Sequence, residues 1–179
     1  KQRLPEETTL IGFAGSPWTV ATYMIAGRGT PDQGPAHALK QNDIIAFQGL
    51  LDVIVEATID YLSSQVEHGA EVIQLFDSWA GSLVGEDFDR FCIAPNKLII
   101  DGLRGRGITT PIIGFPRGAK DRYIDFATET GVQAISIDQD IRLSSVIADL
   151  PDTVVSQGNL DPLCLIAVSY THLTLPTRS

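Results

Sequence analysis

Polar residues recur in this 179-residue sequence directly after short apolar runs. Gly15, Ser16 and Tyr23 follow the first run, and Asp77 and Ser78 the second. Arg117 follows the third, Asp138 and Asp140 the fourth, and Asn159 and Asp161 the fifth. In parallel α/β architectures such junctions lie at the carboxyl ends of strands, where ligands bind. Gathered on one rim, these groups would offer hydroxyls, carboxylates, an amide and a guanidinium, a set suited to holding a polar or anionic ligand and moving protons on it. Taken singly, an Asp or Ser at such a junction caps the following helix. Five junctions of the same kind point to a shared site.

Other chemistries lack their residues. His37 falls in an expected loop, His68 ends an expected helix and His172 sits near the end of the chain, so the histidines make no metal set. No His-x-Cys or His-Glu-x-x-His arrangement occurs, which leaves zinc chemistry unsupported. No Gly-x-Ser-x-Gly elbow marks a serine hydrolase. No GxGxxG or GxxxxGK[ST] follows a strand, so the nucleotide-binding α/β folds lose their main support. Cys92 and Cys164 are far apart and read as thiols of a reducing compartment. Trp18 and Trp79 each follow a strand end and read as packing at the rim.

The elements that must position the polar groups alternate along the chain. Residues 9–14 (TLIGFA) form an expected strand, closed by Gly15-Ser16-Pro17, and residues 18–26 begin a helix. Residues 27–35 read as a Gly/Pro-rich loop. From Asn42 or Asp43, both good caps, a helix runs to about His68, with Phe47, Leu50, Leu51, Ile54, Thr58 and Tyr61 at helical spacing. Residues 72–76 (VIQLF), 111–115 (PIIGF), 134–137 and 153–157 form four further strands. Helices are expected over 86–92, from Pro95 to about Gly105, over 121–130 and over 141–150. The strands are apolar on successive residues, as when both faces are buried. Strand and helix in regular alternation mean a parallel sheet, doubly wound or closed into a barrel, and the pattern alone leaves both open.

Composition bounds the rest. Hydrophobic residues make up 44% and charged residues 20% of the chain, the balance of an ordinary globular domain. A net charge of −9 argues against nucleic acid and against anionic membrane as partners. No apolar run approaches the ~20 residues that span a bilayer. The first ten residues lack the apolar core of a signal peptide and an initiating Met. Residues 168–179 (VSYTHLTLPTRS) lack helical spacing and follow "DPLCLIA", which reads as the opening turns of a helix. We therefore expect a partial domain over 1–167 and a non-native tail over 168–179.

Three segments carry a resemblance. "LIGFAGSPWTVATYMIAGRG" (10–29), "GAEVIQLFDSWAG" (69–81) and "VVSQGNLDP" (154–162) closely resemble, in order and separation, segments of the uroporphyrinogen decarboxylases. The first is long and unusual in composition. A looser GFxGxPW-like stretch also occurs in related corrinoid methyltransferases, and "TYMIAGRG" with "QGNLDP" favours the decarboxylases. The resemblance covers residues 4 to about 167.

It implies a (β/α)8 TIM barrel, here incomplete with about five βα units, working in the cytoplasm as a homodimer. It implies removal of the four acetate carboxyls of uroporphyrinogen III to give coproporphyrinogen III, with no metal and no organic cofactor. Residue by residue, Tyr23 matches a family tyrosine whose hydroxyl contacts the substrate. Ser78 matches a position held by Ser or Thr, again a hydroxyl for substrate carboxylates. Phe13 and Phe76 match apolar residues beside the cleft, where they support the macrocycle or belong to the barrel core. Arg117 lies in a loop where the family often carries a basic residue, able to pair a substrate carboxylate or a neighbouring acid. The family's central aspartate and arginine cluster would precede this segment, and its "GHG"-type loop would follow Ala167, so no catalytic residue is assigned within it. The rival expectations are a corrinoid-dependent methyltransferase of the same superfamily and a non-catalytic barrel fragment.

Overall fold

The computed structural model describes residues 4–167. The tail proposed over 168–179, with His172, lies outside the described residues. Five strands form one parallel sheet: β1 (Ile11–Gly15), β2 (Val72–Asp77), β3 (Ile112–Pro116), β4 (Ala134–Ile137) and β5 (Val155–Gly158). They are hydrogen-bonded in the order of the chain, β1-β2-β3-β4-β5. A doubly wound sheet reverses its order at a switch point. A single-direction order is that of a barrel wall, and it resolves the choice that alternation left open.

Each expected strand is present, with ends displaced by at most two residues. The pleat divides their residues between two faces. Ala14, Ile73, Leu75, Ile112, Ile135 and Ile137 are buried on the helix side and join one continuous core. The other face is the barrel interior, where Phe13, Gln74, Ile113, Ala134 and Val155 stand in register across all five strands. That face is partly open: Ile11, Phe13 and Val155 are 47%, 59% and 66% exposed.

The helices are α1 (Pro17–Ala26), α2 (Gly34–Asn42), α3 (Ile44–Glu67), α4 (Glu86–Phe88), α5 (Ala94–Gly105), α6 (Tyr123–Thr130), α7 (Leu143–Ile147) and α8 (Pro162–Ala167). Asp43 caps α3, its carboxylate accepting from the Ala46 amide at 2.9 Å. Phe47, Leu51, Ile54, Val55, Thr58, Ile59 and Leu62 are the buried face of α3. Tyr61, expected on that face, is instead exposed beside Phe13 and Met24, because the buried stripe drifts with the 3.6-residue period and leaves position 61 on the flank.

Two further expectations need correction. The stretch over 27–35 ends in a helix rather than a longer loop: α2 starts at Gly34, with Pro35 in its first turn, and carries His37. Its few apolar residues and its Gly-Pro start hid it. His37 packs on the Trp18 ring at 5.0 Å, and burial, then nearby Lys40, pushes its pKa down. Lys40 is itself buried, ion-paired with Asp87 and lying over the Phe91 ring. The helices expected over 86–92 and from Pro95 are also joined. A π-helical turn, Asp89–Ile93, links α4 to α5 without a break. Pro95 has no N–H to give, so the wider turn sits where the regular ladder would fail. Phe88 and Phe91 point inward as expected.

Candidate functional site at the strand ends

The rim forms where β1, β2, β3 and β4 end. Phe13, Phe76 and Phe115 line the interior face below it. Phe76 meets Phe13 edge-on, ring centroids 6.0 Å apart, and meets Phe115 edge-on at 6.1 Å. The register places Phe76 opposite Phe115 and Gly15, so the three rings form a continuous aromatic wall. Edge-to-face pairs at this spacing are mutually favourable and hold each ring in place. Sequence reasoning missed Phe115. The available signal is its position in PIIGF, matching that of Phe76 in VIQLF. Deeper in the interior, Gln74 donates from Nε2 to Ser136 Oγ at 3.2 Å.

Ser78 follows β2 and lines a cleft of about 270 Å³ with Trp79, Gly81, Ser82, Arg117, Gly118, Asp138 and Asp140. The loops after β2 and β3 are clasped together, the Gly81 amide donating to Arg117 O at 2.9 Å. The Arg117 side chain is exposed and has no ion-pair partner among the described residues. Tyr23, in the last turn of α1, is 43% exposed, its ring 6.3 Å from that of Trp79. Ser78, Arg117, Asp138 and Asp140 are thus brought together, and Tyr23 joins them through Trp79.

Other strand-end residues serve the scaffold, and Asp138 serves both. Asp138 Oδ2 accepts from the Gly118 amide and from Tyr123 Oη, both at 2.5 Å. Burial, and then the bond to Asp138, raise the Tyr123 phenol well above its ordinary pKa. Asn159 donates to Asp138 O and Ile141 O, and Asp161 accepts from the Leu163 amide. Ser16 and Asp77 face away from the cleft. Ser16 donates to Asn96 Oδ1 at 2.7 Å, and Asp77 is fully buried, accepting from Thr19 Oγ1 at 2.7 Å. Burial lifts the Asp77 carboxyl to about 6, opposed by its hydrogen bonds. The fully buried Trp18 donates from Nε1 to Trp79 O and Ser82 Oγ, both at 3.1 Å.

Among the described residues, no group of three or more His, Cys, Asp or Glu side chains is placed to hold a metal ion. Nor is any of their helices long and apolar enough to cross a membrane. The arrangement is an aromatic wall topped by hydroxyls and one unpaired guanidinium. It can seat a flat apolar ring system while meeting carboxylates at its edge.

Sheet order and site together define a (β/α)-barrel protein with its ligand face at the carboxyl ends of the strands. In fold it is similar to a methyltransferase from Methanosarcina mazei, with a TM-score of 0.73 and 18% identity, over 89% of this chain and 45% of that one. The family model for uroporphyrinogen decarboxylase (URO-D) matches residues 1–174, and the chain belongs to that family. It is 55% identical over 166 residues to the uroporphyrinogen decarboxylase of Paracoccus denitrificans, and 54% identical over 165 residues to that of a Jannaschia species. These alignments cover 93% and 92% of this chain but 48% of each relative. The chain spans about half the length of the curated relatives it matches.

Proposed function

We propose that the full-length protein containing this chain is a uroporphyrinogen decarboxylase, a carboxy-lyase converting uroporphyrinogen III to coproporphyrinogen III by loss of its four acetate carboxyls. The observation that carries this reading is the 55% identity, over 93% of the chain, to a protein of that name. The site geometry supports it. A tetrapyrrole carrying carboxylates presents a broad apolar body and an anionic edge. The wall of Phe13, Phe76 and Phe115 suits the first, and Tyr23, Ser78 and Arg117 suit the second.

The chemistry needs little beyond positioning and protons. Protonation of a pyrrole creates an electron sink beside the acetate, carbon dioxide leaves, the exocyclic methylene so formed is protonated at carbon, and the ring gives up the first proton to restore the pyrrole. In this reading Tyr23 and Ser78 donate hydrogen bonds to substrate carboxylates, and Phe13 and Phe76 support the macrocycle. No residue of this segment is assigned the proton transfer itself, and no metal or organic cofactor takes part. The enzyme works as a homodimer in the cytoplasm, and neither nucleic acid nor membrane is a partner. Residues 168–179 are read as a non-native tail.

The test is decarboxylation of uroporphyrinogen III by the full-length protein, followed chromatographically as carboxyls are lost. Tyr23→Phe and Ser78→Ala each remove one hydrogen bond to a charged group, about 1.5–3 kcal/mol, or roughly 10- to 100-fold in kcat/KM. An inactive parent that is folded would sink the reading. An active parent indifferent to both substitutions would keep the activity and remove the two residue roles.

A further inference from the structure

Behind the rim, on the side away from the cleft, lies a cluster of buried polar groups that the decarboxylase reading leaves unused. Thr19, Asp77, Cys92 and Asn96 are 6%, 0%, 0% and 0% exposed. They come from α1, the end of β2, the π-helical turn and α5. Asn96 Nδ2 donates to Cys92 O at 2.8 Å, and its Oδ1 accepts from Ser16. Asp77 Oδ1 accepts from Thr19, whereas Oδ2 has no hydrogen-bond partner among the described residues. A buried acid with no counter-ion among the described residues adds little to stability, since an apolar residue of like volume would often serve the core as well. Its use must lie in what it orients.

The Thr19 hydroxyl holds the answer. A hydroxyl has one proton to give and two lone pairs to receive. Thr19 Oγ1 gives its proton to Asp77 Oδ1 at 2.7 Å and receives the Trp79 amide proton at 3.2 Å. Asp77 and Trp79 are the two neighbours of Ser78 in sequence. One side chain therefore ties down the residue before Ser78 and the residue after it. Thr19 also lies four residues before Tyr23 on α1, one helical turn away. The same hydroxyl thus joins the helix that carries Tyr23 to the turn that carries Ser78.

We propose that Thr19 is a positioning residue that brackets Ser78 through Asp77 and the Trp79 amide and so fixes Ser78 relative to Tyr23 for recognition of a substrate carboxylate. The proposal rests on the decarboxylase reading for its substrate and on the hydrogen-bond geometry for its mechanism. Thr19 touches no ligand and acts through Ser78.

The experiment uses the full-length protein with Thr19→Val, which keeps the shape and removes the hydroxyl, and Thr19→Ser, which restores it. Each is also combined with Ser78→Ala. With uroporphyrinogen III as substrate, Thr19→Val should raise KM roughly fivefold to tenfold, a hydrogen bond's worth, with a smaller change in kcat. Thr19→Ser should return KM close to the parent value. In the Ser78→Ala background the Thr19→Val effect should vanish, because the group it positions is gone. Hydrogen exchange of the Trp79 amide should quicken by a similar factor in Thr19→Val and stay slow in Thr19→Ser. A lowered Tm with unchanged KM, or a KM effect that persists undiminished without the Ser78 hydroxyl, would overturn the proposal. A parent inactive on uroporphyrinogen III would overturn the decarboxylase reading alone. The bracket then stands or falls on Trp79 amide exchange: selective acceleration in Thr19→Val upholds it, and unaltered exchange refutes it.

Discussion

Asp77 shows at the scale of one residue how burial separates structural from ligand-facing polarity. It ends β2 directly before Ser78, yet adjacent residues of an extended chain face opposite sides of the sheet. Ser78 therefore lines the cleft, and Asp77 is sealed among Thr19, Cys92 and Asn96. Of those neighbours only Cys92 titrates, and burial pushes its thiol well above the ordinary range. Burial raises Asp77 from 3.8 to about 6. Between those values the folded protein holds a proton that the unfolded chain has released. Stability should therefore fall as pH rises from about 4 to about 6 and then level off, by ~3 kcal/mol at most. Asp77→Asn keeps the acceptor for Thr19 and removes the titration. Thermal unfolding of both proteins across that range should show the variant gaining on the parent as pH rises. Parallel curves would show that the carboxyl does not titrate as its burial implies.

At the scale of elements, the site depends on how closely the loops after β2 and β3 approach. A Cβ added at Gly81 would stand 2.9 Å from Gly118 O and 3.0 Å from Gly118 Cα, both backbone atoms with no rotamer by which to yield. Gly118 has φ +78°, a conformation that favours glycine. Gly81→Ala should force the loops apart and carry Ser78 away from Arg117. We expect kcat/KM of the full-length protein to fall about tenfold or more, the scale of a misplaced binding group. The control is Gly49→Ala, on the exposed face of α3, where an added Cβ meets nothing within 4 Å. That change should be neutral or slightly stabilising. Equal activity in the two variants would show that the clasp does not set the cleft.

At the scale of the molecule, the five parallel strands of the described residues, in sequence order, make an arc of a barrel wall whose two edges, β1 and β5, have no strand partner among those residues. Gln65 covers part of the first, its side-chain amide bonding both the Phe13 amide at 2.8 Å and the Phe13 carbonyl at 2.9 Å. The interior surface at Ile11, Phe13 and Val155 remains uncovered. Exposed strand edges beside an apolar face invite self-association. We expect the 179-residue chain alone to be inactive, marginally stable and prone to self-association. Sedimentation and binding of a hydrophobic dye measure this. A soluble monomer with a sharp thermal transition and no dye binding would contradict it.

Much of this is legible in the sequence, because period and punctuation are local properties. Apolar runs followed by polar turns mark all five strands, and Asp43 marks the start of α3. The family segments mark Tyr23, Ser78, Phe13 and Phe76 as residues to follow. What stays hidden depends on which face a side chain takes and what stands opposite it. Helix α2 carries too few apolar residues to announce itself, and the π-helical turn answers a local conflict at Pro95. The partnership of Phe115 with Phe76 arises from strand register, across 39 residues of chain. Asp77 and Ser16 look like site residues in one dimension and prove to be scaffold in three. The alternation of elements and the family follow from the order of residues alone. That the sheet runs in one direction as a barrel wall, and which polar residues its pleat turns toward the cleft, emerge only in three dimensions, because hydrogen-bond register and burial are set between segments that the chain keeps far apart.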